Sequence, residues 1–191
     1  MDAIQVVVGE HDVKSNTDGV AHNVACKSEH PKYNANTVEY DFAILTLKKP
    51  VDITSSSSKA RVACLASDTS KLYGNGEKMT VSGWGALREA GDRFPTKLQK
   101  ITVPGVSNAV CQKDYKNSKI IAAMMCAGYD EGGIDGCQGD SGGNPAICSS
   151  SILPQFWPLA ALAKENYAYF FEIVAIIIRN DITISYRTIN L

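Results

Sequence analysis

The chain has 191 residues, a formal net charge of −1, 20% charged residues and 45% hydrophobic residues, a balance typical of a folded globular protein. A charge so close to zero gives no electrostatic attraction to nucleic acid or to an anionic membrane. The longest apolar runs, such as 173–178, are too short to span a bilayer as a helix. We therefore expect neither a nucleic-acid partner nor a membrane partner.

Short apolar runs predict a chain built mainly from β-strands. In chain order, the strands are predicted at residues 4–8, 42–47, 79–84, 98–103 and 124–127. The long segment 9–40 carries scattered Asn, Asp, Gly and His residues, so it is predicted to be loop. No helix longer than about three turns is predicted before residue 144.

The composition changes after Gly143. All fifteen glycines lie at or before this residue, whereas the segment 144–191 is rich in Ile and carries aromatic clusters at 156–157 and 167–171. A segment of this length without glycine departs from the average usage of roughly 7%. The change indicates that the last segment differs in origin from the rest of the chain.

Cysteine usage favours an oxidising compartment. The six cysteines are Cys26, Cys64, Cys111, Cys126, Cys137 and Cys148. No two of them form a C-x-x-C pair and all three histidines come early in the chain, so the spacing does not predict a zinc site. We expect no cofactor. The first residues also lack the basic and apolar regions of a secretory signal peptide.

The run 135–143, with the sequence DGCQGDSGG, places one serine among four glycines and two carboxylates. A serine hydroxyl is a weak nucleophile unless a base removes its proton and donors hold the resulting oxyanion. Glycine lets the backbone turn tightly and bring its N–H groups close to a substrate. The run therefore indicates nucleophilic catalysis by Ser141; the alternative reading is a glycine-rich surface turn.

Four motifs in the same order make the sequence resemble the trypsin-like serine proteases of the chymotrypsin fold. They are the segments 40–45 (YDFAIL), 81–85 (VSGWG), 126–129 (CAGY) and 139–143 (GDSGG). The resemblance implies an all-β protein with an antiparallel double β-barrel, incomplete at both ends. It implies a remainder of the first barrel at 1–66, most of the second barrel at 67–143, and an unrelated tail at 144–191.

The resemblance also assigns roles to five residues. Ser141 is the expected nucleophile, and Asp41 is expected to orient a catalytic histidine. The backbone N–H groups of Gly139 and Ser141 are expected to form the oxyanion hole. Asp135 matches the base of the specificity pocket, where a carboxylate selects Lys or Arg side chains. Asp140 matches a structural carboxylate that pairs with a new N-terminal ammonium in active members.

The resemblance further implies a disulfide between Cys111 and Cys126. A bond closing a loop of about 15 residues stabilises a protein by roughly 3 kcal/mol on the chain-entropy estimate. The pairing of the other four cysteines stays open. The family also implies a secreted, monomeric protein that acts on protein or peptide substrates with Lys or Arg at the cleaved bond.

The sequence departs from the family pattern at the catalytic base and at the pocket wall. The family histidine lies about 45 residues before the aspartate, which from Asp41 falls before Met1. His11 and His30 fit ordinary loop positions, and nothing in the sequence indicates that His22 replaces the base. After Gly143 the family's Ser-Trp-Gly segment does not occur.

Glu10 matches a position that binds calcium in some members of the family. The loop that follows does not clearly supply a second carboxylate, so no metal is predicted.

The sequence thus predicts a trypsin-like endopeptidase by family that is inactive as this chain stands. Two alternatives stay open: a non-catalytic pseudoprotease or binding chain, and an unstable truncated gene product.

Overall fold

A computed structural model describes most of the first 142 residues and four short later segments. The described residues are 4–15, 17–55, 60, 75–88, 93–142, 145–147, 159–161, 173–178 and 181–183. Cys64 and Cys148 fall outside them.

The described residues form strands and one short helix. In chain order these are β1 (Gln5–Val8), β2 (Val20–Glu29), β3 (Phe42–Leu47), β4 (Asn75–Gly83), β5 (Gln99–Val106), α1 (Asn108–Asp114), β6 (Met125–Ala127), β7 (Pro145–Ile147), β8 (Leu159–Ala161), β9 (Ile173–Ile178) and β10 (Asp181–Thr183). The mainly β character predicted from the apolar runs is confirmed.

The strands assemble into two five-stranded sheets. The first has the order β1-β2-β3-β9-β10 and the second the order β7-β4-β5-β6-β8. Neighbours are antiparallel except for two parallel pairs, β3 with β9 and β6 with β8. Each sheet is open among the described strands, so the structure has two mainly antiparallel sheets rather than the two closed barrels that were expected.

The prediction that residues 9–40 form a loop was wrong. Val20–Glu29 is a ten-residue strand, the longest among the described strands. It pairs with β1 along one edge and with β3 along the other. Because nearly all of its side chains are half-buried or exposed, it has no run of apolar residues to mark it. Its backbone hydrogen bonds to both neighbours decide its conformation.

The other predicted strands are present with shifted ends. β3 has the predicted bounds, whereas β4 begins at Asn75 instead of Met79 and ends at Gly83. The early part of β4 contains a register shift between Asn75 and Lys78. Gly76 lies there with a φ of +83°, a conformation that glycine adopts without the penalty other residues incur. Gly76 therefore belongs to a β-bulge.

The hydrophobic core of the first sheet comes from alternating residues of two strands. Val6 and Val8 of β1 pack with Leu45 and Leu47 of β3, and Ala60 completes the buried cluster. Burying an aliphatic side chain of this size contributes about 1.5–3 kcal/mol. This cluster fixes β3, and therefore the residue that precedes it, Asp41.

We call the first sheet with its loops the first unit, and the second sheet with helix α1 and its loops the second unit. In the second unit, a disulfide links helix α1 to strand β6. Cys111 and Cys126 are bonded and fully buried, with their Cα atoms 6.3 Å apart. The Ser107 side chain caps the helix by accepting from Val110 N. The pairing implied by the family resemblance is therefore present. It ties down the segment that leads into the 135–142 run.

The two units contact each other through the loop after β1. The carbonyl oxygen of His11 accepts a hydrogen bond from Leu98 N at 2.8 Å and from Trp84 Nε1 at 3.2 Å. Val13 N donates to Thr96 O at 2.8 Å. The buried Trp84 ring thus connects the end of β4 to the first unit.

Among the described residues, no helix has the length and apolar character needed to cross a bilayer.

Candidate active site

The residues 135–142 form a loop after β6, which we call the serine loop. A turn introduces it, since Gly132 N donates to Tyr129 O at 2.9 Å, and Gly132 and Gly133 both have positive φ angles. Four of the five residues singled out in the sequence lie on this loop. Ser141 is exposed near its end, whereas Asp135, Gly139 and Asp140 are half-buried.

Asp140 anchors the serine loop to the end of β4. Its Oδ1 accepts a hydrogen bond from Gly85 N at 2.7 Å, and its Oδ2 accepts one from Cys137 N at 2.9 Å. The backbone N–H of Asp140 donates to Cys137 O at 2.9 Å. Hydrogen bonds to an ionised carboxylate are about twice as strong as neutral ones. One carboxylate therefore both folds the loop and attaches it to the sheet.

The glycines of the segment 83–85 allow this close approach. A Cβ atom added at Gly83 or at Gly85 would overlap the carboxyl group of Asp140. In the sequence, this segment was recognisable only as a family motif, and its contact with the serine loop was not predicted. The alternation Gly-Trp-Gly was the available signal, since residues two apart lie on the same face of an extended chain.

Gly139 lies at a second close contact between the serine loop and the segment after β4. Its φ is +94°, and an added Cβ would come within 3.2 Å of Phe94 Cε1 and 3.3 Å of Gly85 Cα. Beside it, Ala86 N donates to Gln138 O at 2.8 Å. Both the conformation and the lack of space require glycine here. The backbone that precedes the exposed Ser141 is therefore held by specific contacts.

Asp135 lines a cavity of about 220 Å³ between the serine loop and strands β4 and β5, and Asp140 lines the same cavity. Burial raises the pKa of Asp135 to about 6, and the negative charge of Asp140 acts in the same direction. A hydrogen bond from Gly136 N to Asp135 Oδ1 at 2.7 Å opposes the rise. The cavity thus contains a carboxyl group that titrates close to neutral pH.

Asp41 lies in the first unit, immediately before β3, and is 7% exposed. The preceding Tyr40 has a φ of +56°, which is uncommon for a residue other than glycine. The rings of Tyr40 and His30 stack with their centroids 5.0 Å apart. Phe42, on the other side of Asp41 in the chain, packs a tilted ring on His30 with the centroids 4.5 Å apart. Asp41 thus follows a strained, aromatic-supported turn, whereas the other four site residues lie on the serine loop.

The three histidines all lie in the first unit. His11 is exposed in the loop after β1. His22 is on β2, where burial lowers its pKa, and it lines a cavity of about 410 Å³ with Asp18 and Asp52. His30 is half-buried in the aromatic stack, and its Nδ1 accepts from Lys32 N at 3.2 Å. Each imidazole therefore lies in the first unit, whereas Ser141 lies on the serine loop of the second unit.

Asp18 supplies a second carboxylate beside Glu10. Its Oδ2 accepts hydrogen bonds from His11 N at 3.3 Å and from Asp12 N at 3.0 Å. No group of three or more His, Cys, Asp or Glu side chains placed to hold a metal ion occurs among the described residues. We assign no metal site to this loop.

Two of the cysteines whose pairing was open lie in the described part of the chain. Cys26 is exposed on β2, and Cys137 is half-buried on the serine loop with its thiol 3.5 Å from Arg88 O. Neither belongs to a disulfide among the described residues.

The comparison with protein families identifies the lineage. A family model described as Trypsin matches residues 1–157. The chain belongs to the trypsin family. The family match extends past Gly143 and includes β7, which pairs with β4.

Several curated trypsin-family proteins resemble the chain. It is 37% identical to Serine protease 1 of Canis lupus familiaris over 150 residues, which are 78% of this chain and 58% of that protein. Cationic trypsin-3 of Rattus norvegicus gives the same identity and the same coverage. Serine proteinase stubble of Drosophila melanogaster is 40% identical over 147 residues, 73% of this chain and 18% of that protein. The chain thus spans less than two thirds of the length of each.

Proposed function

We propose that the site descends from a trypsin-like serine endopeptidase in which Ser141 is the nucleophile. The observation that carries the proposal is the attachment of the serine loop by Asp140, which leaves Ser141 exposed directly after a backbone segment that is fixed by contacts. In this reaction the Ser141 Oγ attacks the carbonyl carbon of the peptide bond while a base takes its proton. The N–H groups of Gly139 and Ser141 would stabilise the oxyanion, and a hydroxyl group exposed to substrate is what the attack requires.

Asp41 would orient the imidazole that acts as the base. Its burial before a well-packed strand supports this role, because an orienting carboxylate must itself be held in place. Asp135 would select substrates with Lys or Arg at the cleaved bond. Its position in a cavity supports this, since a partly buried carboxylate attracts a cationic side chain more strongly than an exposed one.

We further propose that the 191-residue polypeptide has no measurable amidase activity. The three histidines of the sequence lie in the first unit, and none of them is at the family position of the base. Loss of the catalytic histidine from a serine protease lowers turnover by about 10⁶. Ser141 would then lack the proton acceptor that makes it nucleophilic.

The test is labelling with a fluorophosphonate, together with hydrolysis of a Lys or Arg ester. We expect no labelling of Ser141 and no turnover above that of the Ser141→Ala variant. Turnover that disappears in Ser141→Ala would overturn the inactivity and establish the enzyme. The variant is a suitable control because Ser141 is exposed and its replacement should leave the fold unchanged.

The second candidate function is that of a non-catalytic binding chain. The cavity at Asp135 favours it, because this cavity can bind a cationic ligand without any catalytic base. Benzamidine, an amidinium compound that resembles an Arg side chain, would bind such a chain without any accompanying turnover. A chain that folds poorly would show neither binding nor a cooperative unfolding transition.

We also propose, from the family, that the two sheets correspond to the two barrels of the chymotrypsin fold. The proposed division is at 1–66, 67–143 and 144–191, and the family match continues into the third part as far as residue 157. The buried disulfide supports an extracellular protein, and the family supports a monomer that acts on protein or peptide substrates.

A further inference from the structure

The segment after Gly143 contributes strands to both sheets. β9 pairs in parallel with β3, with five residue pairs in register from Phe42 with Ile173 to Thr46 with Ile177. β10 then folds back on β9. β8 pairs in parallel with β6, and β7 pairs with β4. One continuous stretch of chain therefore extends the first sheet at one edge and the second sheet at both edges.

β3 and β6, which this segment covers, both contribute buried residues to their sheets. Leu45 and Leu47 of β3 belong to the core of the first sheet, and all three residues of β6 are buried. A buried, apolar strand with an unpaired edge presents free N–H and C=O groups to other chains and favours edge-to-edge association. β3 and β6 therefore need a neighbour on their second side.

The composition of the covering strands suits this position. β9 consists of Ile, Val and Ala residues alone. β-branched residues favour strands, and parallel strands inside a sheet are typically continuous apolar runs. β10, the outermost strand, has three residues and begins with Asp181. A short strand with a charged residue is a common means of protecting the edge of a sheet.

We propose that the segment 145–183 is an edge-covering strap that supplies terminal strands to both sheets and so prevents β3 and β6 from pairing with a second copy of the chain. The strap works within one molecule, because it is covalently continuous with β4 to β6 through the serine loop. It does not depend on the proposed protease function, since none of its strands carries a proposed catalytic residue.

Two matched variants, each with one proline in a strap strand, test the proposal in the full chain. Ala175→Pro lies in the middle of β9, opposite Ile44, and Ala160→Pro lies in the middle of β8, opposite Cys126. Proline removes a backbone N–H and is not tolerated inside a sheet. The readouts are amide hydrogen exchange, residue by residue, and sedimentation to detect self-association.

The two variants should have opposite effects on the sheets. Ala175→Pro should accelerate exchange in β3 by about tenfold or more, with little effect on β6. Ala160→Pro should accelerate exchange in β6 and leave β3 protected. Each variant should also shift the chain from monomer towards oligomer. Unchanged exchange in β3 and β6, or monomers in both variants, would overturn the proposal.

Cross-linking gives a second measurement that does not require the proline variants to fold. Cysteines are placed at Ala43 and Val174, which are in register, with Ser at the four cysteines outside the Cys111–Cys126 bond. The control combines Ala43→Cys with Ile177→Cys, three residues out of register and so displaced by about 10 Å along the strand. A disulfide requires Cα atoms within about 7 Å. Selective cross-linking of the first pair within a monomer supports the strap; equal or absent cross-linking in both would contradict it.

Discussion

The two parts of the candidate site are held in place in different ways. Asp41 is buried at the start of β3, in a unit where two strands share a hydrophobic core. Ser141 is exposed on a loop that Asp140 folds by accepting from Cys137 N and attaches to the segment after β4 by accepting from Gly85 N. A bond from Ala86 N to Gln138 O adds to this attachment. The first position is supported by many weak contacts, and the second by a few strong ones.

This difference predicts how each part responds to mutation. Removing one contact around Asp41 leaves its strand paired with β2 and packed on β1, so the loss should be small and local. Removing Asp140 leaves two backbone N–H donors without their acceptor, and unsatisfied buried donors are costly. The following predictions test this difference, in order of decreasing effect.

The largest effect should come from Asp140→Ala. Hydrogen bonds to a charged group contribute about 1.5–3 kcal/mol each, and the two bonds share one carboxylate. We therefore expect the free energy of unfolding, measured with urea, to fall by about 2–4 kcal/mol. Amide exchange in the serine loop should become faster than in β3.

The matched control is Asp130→Ala, which removes an exposed carboxylate from the turn before the same loop. Surface substitutions of this kind usually change stability by less than about 0.5 kcal/mol. Equal effects of the two variants would show that Asp140 does not anchor the loop.

A smaller effect is expected at Tyr40. Tyr40→Ala removes the ring that stacks on His30 and that lies 5.5 Å from Lys32 Nζ. Aromatic pairs contribute about 0.5–1.5 kcal/mol beyond the burial of their area. The free energy of unfolding should therefore fall by about 1 kcal/mol. Tyr40→Phe keeps the ring and should be close to wild type in the same urea titration. A loss as large as that of Asp140→Ala would contradict the difference between the two parts.

A separate effect, outside this order, is a pH dependence that involves Asp135. Its pKa is raised from an ordinary 3.8 to about 6, so folding favours the protonated form. The stability from this group is fully present below pH 3.8 and is lost as the pH rises through about 6. Asp135→Asn should remove this part of the pH dependence of unfolding. Thermal melts from about pH 3 to about pH 8, which bracket both pKa values, can measure it.

The same titration should govern binding of benzamidine to the cavity. Only the ionised carboxylate attracts a cation, so the affinity should fall as the pH drops through about 6 and should be weak in Asp135→Asn at every pH. Calorimetry gives the affinities. An affinity that does not change between pH 5 and pH 7 would exclude Asp135 as the ligand's partner.

Several parts of the fold could be predicted from the sequence because they bury apolar residues or repeat a motif. β3 has the predicted bounds, since its apolar run packs in the core. β2 could not be predicted, because its residues are mostly exposed and its strand conformation comes from pairing with β1 and β3. The apolar run at 173–178 carried a local signal for a strand, but its pairing with β3 could not be predicted because it joins segments far apart along the chain.

In the candidate site, the sequence by itself determined the chemical groups and the lineage. A serine among glycines, the nearby carboxylates and the order of the motifs all follow from residue types and spacing. The tertiary structure decided which groups meet. Asp140 bonds to Gly85, 55 positions away along the chain, and the raised pKa of Asp135 depends on burial and on the charge of Asp140. Contacts between distant segments and the loss of solvent around a carboxyl group depend on how the whole chain packs, so they cannot be read from local sequence.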